Sequence, residues 1–264
     1  MRLTSTLASA AASLLLAMAL GTSCAHDRPD GIALVGATLI DGTGGPPLTD
    51  AAIVVRRGRI ESVGTRGSFT LPSRTVQVDV ANRWIIPGLI DAHAHVAPWA
   101  LPRYLAWGVT TVRDLHGELD TILRLRREVN LGSVAGPRIY SVGAMIDGLP
   151  TTYPDAIGVN SPRDARKAVD RLVNAGVDAI KVYTRMDPAL LKAVIDEAGT
   201  FNLKVTGHLG LTDAVTAAQD GIASIELLSG VPESALPDRS SLLAAHYREH
   251  HSLTSDGSRG SPTG

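Results

Sequence analysis

The sequence predicts an α/β protein: a partial (β/α)8 barrel of the TIM type, with about six of the eight strands, behind a small N-terminal β-sandwich-like domain. Three observations predict it. Short β-branched runs broken by glycine fill the region before Trp84, and strand and helix patterns alternate after it. Three polar residues, His95, Lys181 and His208, close or interrupt apolar strand patterns at the spacing that a barrel imposes.

Composition bounds the function. At 264 residues, 44% hydrophobic and 19% charged, the chain can bury a sizeable core. A net charge of −1, no basic block and 4% aromatics argue against a nucleic-acid partner. The single cysteine, Cys24, excludes an internal disulfide framework and a cysteine-based zinc site.

Residues 1–24 read as a leader outside the fold. Arg2 gives a positive start, and the apolar run holding Ser13–Leu20 is short for a membrane span. Small residues then precede Cys24, which resembles a bacterial lipoprotein signal with Cys24 as the lipidation site, although Gly21 departs from the branched residue usual there. Simple secretory cleavage near Ala25 is the alternative. Either way the expected location is exported, in the periplasm or cell envelope, with the membrane reached only through a lipid anchor.

The predicted β domain spans 25–84. Ile32–Gly42, Ala51–Gly64 and Thr75–Val80 are its strand runs, with turns at Gly42–Pro47 and Gly58–Ile60, and they suggest an antiparallel sheet. The barrel spans 85–235. After the strand that ends in PGLIDAHAHV (Pro87–Val96), its strands are Gly108–Leu115, Pro137–Ile146, Gly176–Thr184, Leu203–Gly210 and Ile222–Gly230. The helices are well punctuated. Ser161 is an N-cap with Pro162 at the first helical position and Gly176 past the end. Asp187, Pro188 and Gly199 repeat that design, and Thr212 or Asp213 caps a third helix. From His95 to His208 is 113 residues. At roughly 28 to 30 residues per βα unit that is about four steps, from strand one to strand five, with Lys181 on strand four. Barrel active sites lie at the C-terminal ends of such strands.

His93 and His95 are one residue apart, so on a strand they project to one face, and Asp91 can join them. Two imidazoles on one face can grip a divalent ion, or can be two polar residues at a strand end. Lys181 sits inside AIKVY, where a buried ammonium needs a carboxylate partner, a neutral state or covalent modification. His208 alone reads equally as a hydrogen-bonded structural histidine. His116 follows GVTTVRDL in a loop and is expected to face solvent.

Together IIPGLIDAHAHV, GVTTVRDL, GVDAIKVY and KVTGHLG resemble, in order and spacing, the amidohydrolase superfamily, in its imidazolonepropionase-like and Xaa-Pro dipeptidase (prolidase)-like branches. The resemblance covers roughly Gly31 to Gly230 and implies a barrel holding two divalent metals, zinc foremost, beside a small β domain. It implies that His93 and His95 bind one metal and His208 the other, that a CO2-derived carbamate on Lys181 bridges them, and that Tyr183 holds the substrate. The implied reaction is hydrolysis of a C–N bond in a peptide-like, dipeptide-like or cyclic amide by metal-activated hydroxide.

Two departures stand against full activity. The family's strand six reads SIEH, whereas this chain reads SIELL, with Leu227 at the ligand position. No strand-eight aspartate motif is present, so no catalytic residue is identified. The tail, 236–264, turns polar and rich in serine and glycine, as a disordered segment does. The sequence therefore reads as a C-terminally truncated member with a crippled site. The alternatives are a noncatalytic exported binding protein on the same scaffold, or an inactive fragment. Oligomeric state is left open.

Overall fold

The computed structural model describes residues 29–235 and four positions beyond them, 238, 241, 245 and 248. The leader with Cys24, and nearly all of the tail, lie outside the described residues. The chain divides into two compact units, the first ending at Pro87 and the second starting at Gly88.

In the first unit, β1 (Gly31–Leu39), β2 (Leu48–Arg56), β3 (Arg59–Thr65), β4 (Thr75–Asp79) and β5 (Trp84–Ile85) form one five-stranded sheet. The run Ala51–Gly64, read with a turn at Gly58–Ile60, is a hairpin whose turn falls at Arg57 and Gly58. Arg57 and Gly58 both take positive φ, 50° and 72°, as a tight two-residue connection requires. The antiparallel expectation holds for β1–β2 and β2–β3, but β4 and β5 pair with β1 in parallel. The physical reason is the connection: residues 66–74 carry the chain back to the start of β1 instead of turning tightly onto the neighbouring strand. The sandwich-like expectation resolves into this single mixed sheet. Alternation sends Ala33, Val35, Ala52 and Val54 to one apolar cluster, and Leu39, Ala51 and Ile53 to another. The switch of parity along β1 falls at Gly36, where the register shifts and φ reaches 94°.

The second unit is built from parallel strands. β6 (Leu89–Ala94), β7 (Val109–Asp114) and β8 (Arg138–Ser141) form one sheet. β9 (Ile146–Gly148), β10 (Ile157–Val159), β11 (Ile180–Val182), β12 (Val205–Gly207) and β13 (Ser224–Ile225) form the other, in the order β10-β9-β11-β12-β13. Pro137–Ile146, read as a single strand, is thus split between β8 and the start of β9. The Asp178 N–H donates to the Ser141 carbonyl at 2.8 Å, and the Ser141 N–H donates back to Asp178 Oδ2 at 2.8 Å, which ties β8 to the chain entering β11. Taken along the chain, the principal strands keep sequential order and one direction, as a barrel wall does. This is a partial (β/α)8 barrel in an α/β fold.

Helices cover the wall: α1 (Leu101–Ala106), α2 (Leu119–Asn130), α3 (Pro162–Ala175), α4 (Pro188–Thr200), α5 (Ala214–Asp220) and α6 (Val231–Ala235). Ser161 Oγ accepts from the Asp164 N–H at 3.2 Å, Pro162 opens α3, and Gly176 closes it at φ 82°. Buried Ala165, Ala168, Val169 and Leu172 then face the strands, the leucine alone stabilising by about 1.5–3 kcal/mol. Asp187 caps α4 through the Leu190 N–H at 2.9 Å. Gly199, expected past the end, lies inside the last turn, and Asn202 takes the left-handed position at φ 56°. The cap of α5 is Asp213, which accepts from Val215 and Thr216 N–H groups at 3.0 and 3.1 Å, while Thr212 Oγ1 donates to the Met186 carbonyl. Helix α2, whose ends were not delimited from the sequence, is capped by Glu118, an uncommon cap residue.

Candidate active site

The polar residues singled out in the sequence converge on one cavity of about 450 Å³, lined by His93, His95, Lys181, Tyr183 and His208. Each stands where a strand of the wall ends or passes under the mouth: His93 on β6 and His95 just after it, Lys181 within β11, His208 just after β12. The ring centroids of His93 lie 5.7 Å from His95 and 5.3 Å from His208, and Tyr183 lies 5.1 Å from His208. Residues 113 apart in sequence thus share one small volume.

Hydrogen bonding fixes the chemistry of the first two histidines. His93 Nδ1 lies 2.8 Å from Glu226 Oε2, and His95 Nδ1 lies 3.1 Å from the His116 carbonyl oxygen. A carboxylate and a carbonyl only accept, so each Nδ1 carries the hydrogen. In the neutral ring each Nε2 then keeps a lone pair. That is the tautomer a metal ligand needs, oriented by an outer partner. Asp91 does not join them in the cavity; its Oδ1 accepts from the His93 backbone N–H at 3.1 Å.

Lys181 and His208 present the opposite situation. Lys181 is 1% exposed, and neither its Nζ nor His208 Nδ1 has a hydrogen-bond partner among the described residues. Burial lowers the Lys181 ammonium to about 8, helped by the charge of Arg113 and opposed by Glu226. Burial, with the charges of Lys181 and His93, lowers His208 to about 4, so it is a neutral imidazole at pH 7. An unpaired, partly neutral amine and an unpaired imidazole nitrogen in one cavity are groups with bonding capacity to spare. Tyr183 is pushed up to about 12 by burial and its neighbour Tyr153, so it keeps its proton as a donor.

Among the described residues, no group of three or more His, Cys, Asp or Glu side chains is arranged to hold a metal ion. The donor set fits a divalent cation only if Lys181 becomes an anionic oxygen donor. The two free Nε2 lone pairs, the unsatisfied His208 Nδ1 and the depressed Lys181 ammonium are all consistent with that fit.

Several residues of the cavity were not legible as such. His116, expected to face solvent, has a side chain 11% exposed that lines the cavity, with Nε2 3.0 Å from Asp155 Oδ1. The loop after β7 folds inward because the Gly117 N–H donates to the Gly143 carbonyl at 3.0 Å and the Met145 N–H donates to His116 Nδ1 at 3.3 Å. Leu227, marked in the sequence at the expected ligand position, does line the cavity and is 77% exposed. Tyr153 and Asp155 of the lining were missed, as was Leu227's neighbour Glu226, which is 6% exposed and binds Arg113 Nη2 at 2.7 Å as well as His93. The only sequence signal of Glu226 is an acid following a short apolar strand.

A parallel βα wall whose strand ends gather histidines, a lysine and a tyrosine around one cavity defines a partial-barrel protein with its candidate site at the strand ends. Residues 84–248 match the amidohydrolase family, and the chain belongs to it. An uncharacterised protein of Mycobacterium tuberculosis is 29% identical over 206 residues, which is 69% of this chain and 32% of that protein. An imidazolonepropionase of Aromatoleum aromaticum is 44% identical over 50 residues, 19% of this chain and 12% of the enzyme. A crystal structure described as a prolidase from Bifidobacterium longum superposes with a TM-score of 0.68 at 26% identity, over 84% of this chain and 58% of that one. The chain spans about a third of the length of the first of these relatives.

Proposed function

We propose that this chain carries the site of a metal-dependent hydrolase acting on the C–N bond of a small amide, dipeptide-like or cyclic amide substrate. The observation that carries the reading is the meeting of two Nε2-presenting histidines with two unsatisfied nitrogens, Lys181 Nζ and His208 Nδ1, in one cavity. The prolidase likeness and the imidazolonepropionase relative support the substrate class.

His93 and His95 would hold one divalent ion, zinc foremost, His208 would hold a second, and Lys181 as its carbamate would supply oxygen donors. When bound, such ions polarise a carbonyl and make water acidic enough to attack it near neutral pH. The chain's own residues prepare this. Neutral Lys181 Nζ adds to the carbon of CO2, an N–C bond forms, and the ammonium-type proton leaves to solvent. The product is a carbamate anion, so an unpaired buried cation becomes a donor of two oxygens. Tyr183, protonated at pH 7, can donate its hydroxyl to the substrate carbonyl oxygen. Leu227 adds apolar surface and no donor, so the second position has one ligand fewer than the family pattern implies. That weakens hydrolysis in this chain and favours, as a second reading, a noncatalytic binding protein on the same scaffold.

The test is turnover of a panel of N-acyl amino acids and X-Pro dipeptides by protein prepared with zinc and bicarbonate. Amine release abolished by dipicolinate and by His95→Ala supports the reading. Ligand binding unaffected by the chelator, with no amine release, supports the second reading and sinks the first. We also propose export with lipidation at Cys24; a mature chain whose mass shows no acylated cysteine contradicts it.

A further inference from the structure

Glu226 joins four strands of the wall through one carboxylate. Its Oε2 accepts from His93 Nδ1 at 2.8 Å, across 133 residues of sequence. Its Oε1 accepts from Arg113 Nη2 at 2.7 Å, from Thr206 Oγ1 and from Ser224 Oγ at 3.3 Å. The guanidinium cannot move away easily, because Arg113 Nε donates to the Ala92 carbonyl at 2.7 Å. The two carboxylate oxygens therefore have different duties. One is committed to a fixed cation and hydroxyls of the wall, and the other has His93 as its one partner among the described residues.

We propose that Glu226 is the positioning residue of this site: it fixes His93 with the hydrogen on Nδ1, so that the Nε2 lone pair is presented to the cavity. Its effect on cation affinity rests on the metal reading above, whereas its effect on the tautomer does not. A near-isosteric substitution of Glu226 separates its two oxygens' duties. In Glu226→Gln the amide oxygen must face Arg113, since a guanidinium has no lone pair to offer and cannot accept. The amide NH2 is then forced toward His93 Nδ1, which must become an acceptor, and the ring hydrogen moves to Nε2. The lone pair needed for ligation is lost with almost no change of shape. Removing the guanidinium as well, in Glu226→Gln/Arg113→Met, frees the amide to turn, because the Thr206 and Ser224 hydroxyls can donate or accept. The double variant should recover the original tautomer.

The experiment is long-range 1H–15N correlation of the histidine rings in the full, metal-free chain at pH 8.5, with the His93 signals assigned by their loss in His93→Gln. Zinc affinity by chelator competition with bicarbonate present, and thermal midpoints, are measured on the same proteins. The expected results are Nδ1–H at His93 in the wild type, Nε2–H in Glu226→Gln, and Nδ1–H again in the double variant. Zinc affinity should fall about 10- to 100-fold in Glu226→Gln, as for other residues that orient metal-bound histidines, and recover in the double variant. Nε2–H in the wild type overturns the proposal, and needs no variant to fold. Equal tautomers in wild type and Glu226→Gln at similar thermal midpoints also overturn it. If the tautomers behave as expected but the wild type binds no zinc, the metal reading falls and the tautomer assignment stands.

Discussion

Replacing Lys181 by methionine removes an ammonium that is 1% exposed, has no hydrogen-bond partner among the described residues and titrates near 8 instead of 10.5. The unfolded chain keeps the proton up to about 10.5, so between the two values the unfolded state binds more protons and stability rises with pH. At pH 7 the folded protein carries the whole penalty. A shift of that size corresponds to something on the order of 3 kcal/mol. Methionine fills a similar volume at a repacking cost below about 1.5 kcal/mol. In CO2-free buffer at pH 7, Lys181→Met should therefore be more stable than the wild type by about 2 kcal/mol. The assay is urea unfolding of both proteins at pH 7 and pH 10, taken as a difference so that shared titrations such as Tyr183 cancel. The gap should close at pH 10. A variant less stable than the wild type at pH 7, or a gap that does not change with pH, would show that Lys181 is not a buried, unpaired ammonium.

The remaining expectations concern the cavity and one helix. His93→Ala and His208→Ala should each lower bound zinc, measured by metal analysis after dialysis. Unchanged content in both would show that the ion sits elsewhere. Leu227→His should raise zinc per chain by restoring a donor at the second position, and no gain would count against the strand-six assignment. Ser161→Ala should cost about 1 kcal/mol in chemical denaturation by removing the cap of α3, and a cost near zero would show that the helix end is held otherwise.

What the sequence revealed, and what it hid, follows the range of each interaction. Ser161 and Asp187 were legible as caps because their partners lie three residues away. His93, His95, Lys181 and His208 were legible because strand periodicity and βα spacing are regular over long distances. Glu226 was not, since its partners come from β6, β7 and β12, and nothing local in SIELL marks an acid as buried. His116 was misjudged for a related reason. A polar loop residue looks solvated until the loop's backbone bonds, here Gly117 to Gly143, turn it toward the mouth. Gly199 was placed beyond its helix because asparagine, at Asn202, can take the left-handed position as well.

If Lys181, once carboxylated, completes a metal site with His93, His95 and His208, the retention of zinc must depend on CO2. Zinc retained per chain after dialysis, with and without bicarbonate, tests it most directly. Zinc should be held tightly with bicarbonate and much less without it, and bicarbonate should add none in Lys181→Met. Zinc content that ignores bicarbonate, or that survives intact in Lys181→Met, would contradict it.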